Sequence, residues 1–334
     1  MPGAGGGTSG APGFGGSTGT EFPDITAELS RLAMTPGSHV LRPGVYSVTR
    51  TVHLTSGVRI SGSGDLETTL VLAPGTNDNM FTNSDHDNGA SDIELVNLRL
   101  EGRGRGQARP AGEKRLSFCN GVYLARVRGA KITDVHVSGF KQTAVHFRQC
   151  SDVAIENFIA VDLGWSGIST SGTDDLMARN FYIYDSGHDH RHSAIHLDGG
   201  TGAYLQGVVR KCVGNGVMLD AAFAPFANAL VTVDASDCMR GIALIGSAEA
   251  QPTGVTIVNC EVSRNDVGIM VSNARMAHVY GVTVSESRQH GILFQGRVGG
   301  RQSIVAGCIF EGNAVDIAEI HASGNNRIIT DVAG

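Results

Sequence analysis

The chain has 334 residues, with 26 Lys and Arg against 32 Asp and Glu for a formal net charge of −6, and 41% of its residues are hydrophobic. It is long enough for one large domain or two ordinary ones with ample core, and its acidic balance excludes a global basic field that would draw it to nucleic acid or anionic membrane. No run of about eighteen apolar residues marks a membrane span, and the 46 glycines follow no three-residue period, which excludes collagen.

Residues 1–20, "MPGAGGGTSGAPGFGGSTGT", read as a flexible Gly/Ser/Thr arm. The segment lacks the charged and apolar regions of a signal peptide, and an extracellular or virion location stays open. Residues 21–60 follow with a short helix over Ile25 to Ala33 and then strands broken by Pro36-Gly37 and Pro43-Gly44. The six cysteines, 119, 150, 212, 238, 260 and 308, show neither CxxC pairs nor zinc spacing and fit packed free thiols.

From residue 61 to 334 the dominant feature is an internal repeat. "NGVYL", "TAVHF", "SGIST", "SAIHL", "NGVML", "RGIAL", "VGIMV" and "HGILF" each place a small residue before a strand-like alternation. The small residues are Gly121, Ala144, Gly167, Ala194, Gly216, Gly241, Gly268 and Gly291, at intervals of 22 to 27 residues. A second ladder sets Asn97, Asp134, Asn157, Asn180, Gly207, Asp237, Asn259, Gly281 and Gly307 directly before the inward residues Leu98, Val135, Phe158, Phe181, Val208, Cys238, Cys260, Val282 and Cys308. Every member is Asn, Asp or Gly, the types that tolerate a left-handed bend.

A period near 23 with one left-handed residue per coil resembles the right-handed parallel β-helix of the pectate-lyase-like superfamily, over roughly residues 38 to 320. The resemblance implies an all-β solenoid of about ten coils, with the segment at 21–60 similar to that superfamily's capping helix and first coil. Such a cap shields the strand edges and apolar bore at the open end.

On a solenoid strand, alternate residues face outward. One outward column reads Tyr123, His146, Ser169, His196, Met218, Ala243 and Met270, and the next reads Ala125, Arg148, Ser171, Asp198, Asp220, Ile245 and Ser272. His146, Arg148, His196, Asp198 and Asp220 thus cluster over about 15 Å of sheet and form the expected catalytic group, with a hydrogen bond from Asp198 holding the His196 ring. Two long loops, 101–118 with Arg103, Arg105, Arg109, Lys114 and Arg115, and 187–192 with His188, His190, Arg191 and His192, would wall the same groove. Tyr123, Lys141, His188, His190, Arg191, Arg105 and Arg109 are the expected substrate contacts. A basic rim over a His/Asp floor suits an extended anionic polysaccharide.

For such a substrate, elimination or C5 epimerisation needs a clamp for the sugar carboxylate, a base and an acid. Arg148 serves as clamp, His196 or His146 as base, and Tyr123 or a loop histidine as acid. Against the Asp-Pro-His-Glu motif of the superfamily's mannuronan epimerases, only Asp198 matches, because Gly199-Gly200 follow it. Glycoside hydrolysis or glycosyl transfer would use Asp198 and Asp220 instead, one coil apart. The polygalacturonase motif set is not reproduced. No cofactor is required by these readings, although His188, His190 and His192 alternate as the ligands of a divalent or transition metal ion would. A phage or cell-surface fibre is the non-enzymatic alternative, with Met218, Ala243, Ile245 and Met270 as a short apolar stripe for homo-oligomer contact.

Overall fold

The computed structural model describes residues 21–63, 67–108, 118–189, 191–296, 302–320 and 326–329. The arm at 1–20 and the site candidates Arg109, Lys114, Arg115 and His190 lie outside the described residues. Among the described residues no helix is long and apolar enough to cross a membrane.

The chain winds into a parallel β-solenoid. Each coil contributes one short strand to an 11-stranded sheet, and longer or paired strands build a 17-stranded sheet around the rest of the coil. Among the described residues eleven short strands mark eleven coils, against the ten or so expected: the eight of the repeat, Val52–Leu54 and Phe81–Asn83 ahead of it, and Ile317–Ile320 after it. Valine, isoleucine, leucine and phenylalanine at alternate positions turn inward and stack coil on coil. Val145, Ile168, Ile195 and Val217 form one such file, each 0% exposed. The bore is therefore a packed column rather than a channel. Truncating a fully buried phenylalanine such as Phe158 would cost about 3–5 kcal/mol.

The N-terminal helix runs Thr26–Ala33. The Asp24 carboxylate accepts from the Thr26 N–H at 2.8 Å, so the helix starts one residue later than the apolar pattern indicates. Leu29 and Ala33 are fully buried and close the end of the bore.

The left-handed corner forms where Asn97, Asp134, Asn157, Asn180, Asn259, Gly281 and Gly307 adopt φ between 50° and 61°. Asn157 Nδ2 donates to Asp134 Oδ1 at 2.7 Å and Asn180 Nδ2 to Asn157 Oδ1 at 2.6 Å, a side-chain ladder running up the corner. Two members of the sequence ladder do not belong to it. Gly207 does not take a left-handed φ, because the register shifts between Arg179 and Phe181 and the strand Gly200–Cys212 passes straight through the corner. Glycine is needed there for space: a Cβ would lie 2.5 Å from Phe181 O and from its ring. In consequence Val208 is half-buried and Val209 takes the bore position. Asp237 is left-handed, but it follows Ser236 at the far end of its coil, in line with Asp162, Asp185 and Lys211.

Asn157→Ala should destabilise by about 1–2 kcal/mol through left-handed strain and the lost amide ladder, read from the urea midpoint. Asn157→Gly should lose less.

All six cysteines are free. Burial pushes the Cys150 thiol up to about 11 and the Cys260 thiol up to about 12, so they behave as apolar filling. Ala243 and Met270 are 0% and 3% exposed, packed with Val267 and Leu293 in a small second cluster. Much of the apolar stripe therefore already lies covered within the chain.

Candidate functional site

The outward columns come together as the repeat implies. Tyr123, His146, Ser169, His196 and Met218 are register partners across consecutive short strands, and so are Ala125, Arg148, Ser171, Asp198 and Asp220. Stiff parallel strands on a packed bore hold these side chains on fixed rungs of about 4.8 Å.

At one end sits a three-residue cluster. His196 Nε2 lies 3.1 Å from Asp220 Oδ2, so Asp220 rather than Asp198 holds the imidazole. The diagonal wins because Asp198 is anchored elsewhere, accepting from the Phe223 N–H at 2.6 Å. Asp220, 6% exposed, also accepts from the Ala222 N–H at 2.8 Å. The two carboxyl groups are register partners on neighbouring coils, so ionising one disfavours ionising the other. Burial, reinforced by Asp220, raises Asp198 to about 6. Burial also works upward on Asp220, but hydrogen bonds from His196, Asp198 and the Ala222 N–H outweigh it and hold Asp220 below the ordinary carboxylate range. As pH falls toward 6 it is Asp198 that takes up a proton, while Asp220 stays the anion that faces His196.

Asp198 also lines a cleft of about 400 Å³ with Tyr123, His146, Arg148, Ser171, Phe223, His86, Arg126 and Gln149. Burial lowers His146 to about 4, helped by the nearby charges of His196 and Arg148. Its ring is neutral at pH 7. Tyr123 leans on it with ring centroids 5.4 Å apart, and His86 meets Tyr123 edge-on at 5.3 Å. Arg126 donates to Gln149 Oε1 at 3.2 Å and to the Asp87 carbonyl. The Arg148 side chain makes no hydrogen bond or ion pair among the described residues and stands exposed. His86, Arg126, Gln149 and Phe223 were not foreseen, since they sit in the turns that follow the short strands, where column counting stops. The only available signal was the charged turn "SDHDN" one coil below Tyr123.

The described parts of the two long loops do meet, but elsewhere. Arg103, Arg105, Lys141, His188 and Asp189 line a separate hollow of about 740 Å³ together with Asp162 and Asp185, and it shares no lining residue with the cleft. Its rim is mixed rather than basic: Lys141 pairs with Asp189 at 3.0 Å, and Lys211 with Asp185 at 3.1 Å. Arg191 is exposed, with a left-handed φ of 56°. His188 faces Asp185 and Asp162 at 3.6 and 3.9 Å, whereas the His192 ring stacks on Trp165 at 3.9 Å. The two described histidines thus have different surroundings. Among the described residues two groups have donor atoms close enough together for a cation, Asp162 with Asp185 and His188, and His196 with Asp198 and Asp220.

The comparisons agree with this architecture. A family model described as "Right handed beta helix region" matches residues 206–332. None of the curated proteins matches the chain in sequence. Among solved structures, the Azotobacter vinelandii mannuronan C-5 epimerase AlgE4 A-module is similar with a TM-score of 0.67 at 16% identity, covering 94% of this chain and 98% of the module. The N-terminal fragment of bacteriophage Phi29 gene product 12 is similar with a TM-score of 0.73 at 14% identity, covering 93% and 62%. The catalytic domain of a GH87 α-1,3-glucanase follows at 0.62 and 15%, covering 94% and 68%. The fold is a right-handed parallel β-helix.

Proposed function

We propose that the chain is a carbohydrate-active enzyme that takes an extended anionic polysaccharide across the short-strand sheet and acts on it by β-elimination or C5 epimerisation. The observation that carries this reading is Arg148, exposed and without an ion-pair partner among the described residues, opening on the same cleft as His146 and Asp198, a carboxyl group that holds its proton up to about pH 6. An unpaired guanidinium beside two proton-transfer groups suits a uronate, whose carboxylate it would bind in bidentate fashion. His146 then takes the proton at C5 and Asp198 supplies one. Delivered to the glycosidic oxygen, that proton completes elimination; delivered to the opposite face of C5, it completes epimerisation. Burial and the Asp220 charge favour the protonated form of Asp198. The fold likeness to an epimerase and to a glucanase supports the polysaccharide class.

Glycoside hydrolysis is the second reading, favoured by the uneven protonation of Asp198 and Asp220, the pattern of a general acid beside an ionised carboxylate. Incubation with alginate, polygalacturonate and neutral glucans separates the readings. New ultraviolet absorbance marks elimination, a changed uronate ratio at constant chain length marks epimerisation, and reducing ends without absorbance mark hydrolysis. No change in any substrate would overturn the enzymatic proposal and leave the fibre.

The pH profile follows from Asp198. As a proton donor it must be protonated, so turnover should fall as pH rises above about 6. Asp220→Asn removes the neighbour that helps raise Asp198, and should move that alkaline limb to lower pH. An unmoved limb would show that another group donates.

A further inference from the structure

On the opposite, long-strand sheet, the interrupted corner leaves a groove. Gly207 and Val208 line it with Gln206, Thr232 and Asp234, and Asn180 and Asn259 stand at its two ends. It exists because the Asn ladder skips two coils here. Asn180 ends the lower ladder by donating to Asn157, which leaves its own Oδ1 without a partner among the described residues. Gln206 accepts from the Tyr204 hydroxyl at 3.2 Å, leaving its amide NH₂ free, and Asn180, Gln206 and Asn259 are all exposed. Tyr182, 37% exposed, pairs in register with Val208 on the next coil and stacks with Tyr184 at 6.3 Å.

We infer that this groove is a second saccharide-binding site, which holds a stretch of polysaccharide through its hydroxyls. Free amides that both donate and accept suit sugar hydroxyls, and the exposed Tyr182 ring beside Val208 suits the apolar face of a pyranose. The rungs repeat at about 4.8 Å, close to the length of one sugar ring, so the groove from Asn180 to Asn259 spans about three rings. The Asp234 carboxylate in its wall favours hydroxyl-bearing faces over carboxylates, unlike the Arg148 cleft. The inference rests on the proposed function only for the class of ligand, and involves no residue of the cleft.

Affinity electrophoresis in gels containing alginate, polygalacturonate, xylan or soluble β-glucan tests it. The background is Arg148→Ala with Asp198→Asn, which silences the cleft. Retardation should persist in that protein with at least one of the polysaccharides. It should weaken about tenfold or more when Asn180→Gly, Gln206→Ala and Asn259→Gly are added, since several neutral hydrogen bonds are lost. Glycine at 180 and 259 preserves the left-handed backbone, and an unchanged thermal melt confirms the fold. Tyr182→Ala in the same background should also weaken retardation. Unretarded migration of the cleft-silenced protein in every gel, or full retardation after the amides are removed, overturns the inference. Turnover by the groove triple variant with the cleft intact reports separately on the proposed function.

Discussion

Asp198→Asn should lower turnover by about 10² or more, the scale of losing a general acid, and should leave the fold intact, because the side chain faces the cleft and not the bore. Asn keeps the shape and can still accept from the Phe223 N–H, but it has no transferable proton. The same change should raise stability in alkaline solution. Asp198 has a folded-state pKa of about 6, above the ordinary value of 3.8, so its favourable contribution is complete below 3.8 and is lost as pH rises through 6. At pH 8 the folded chain holds an ionised carboxylate against Asp220. Removing that repulsion should raise Tm by about 1–2 °C, a modest value because the group is partly solvated. Arg148→Ala should act differently, raising KM for an acidic polymer by about tenfold or more while sparing a neutral one. Near-wild-type rates in both variants would mean that the cleft is surface decoration.

Gly200→Ala should be strongly destabilising. Gly200 has φ +109°, and a Cβ there would sit 2.0 Å from the Thr173 carbonyl oxygen. The oxygen belongs to the backbone of the coil below and cannot swing away, because both coils are stitched into the sheet. The cost combines a forbidden backbone region with a collision, about 4 kcal/mol or more, and the turn it deforms is the one that follows Asp198. Soluble yield and Tm should both drop sharply. Gly75→Ala is the control: its φ is +79° and nothing lies within 4 Å of the added carbon, so only strain of about 1–2 kcal/mol remains. Equal effects at both positions would show that the collision is relieved by movement of the coils.

What the amino-acid order determined by itself was everything that repeats. The parallel solenoid, the inward files through Val145 and Ile195, the neighbouring corner amides of Asn157 and Asn180, and the shared rungs of His146, Arg148, His196, Asp198 and Asp220 all follow from alternation with a period near 23, because each coil pairs with the next in a fixed register. What departs from the period was decided only in three dimensions. Gly207 looks like a corner residue and Asp237 like its successor, yet a one-residue bulge at Asn180 moved the bend, and nothing in local composition marks a bulge whose cause is packing against Phe181. The His196 partner was likewise a tertiary matter. Asp198 and Asp220 are equivalent by counting, and the choice fell to Asp220 because the turn amide of Phe223 claims Asp198. The two long loops share an edge of the sheet by count, but their described parts gather beside the Asp162 and Asp185 corner instead of over the rungs of His146 and Asp198. Loop side chains settle where their charges find partners, and those partners lie on coils that are distant in sequence.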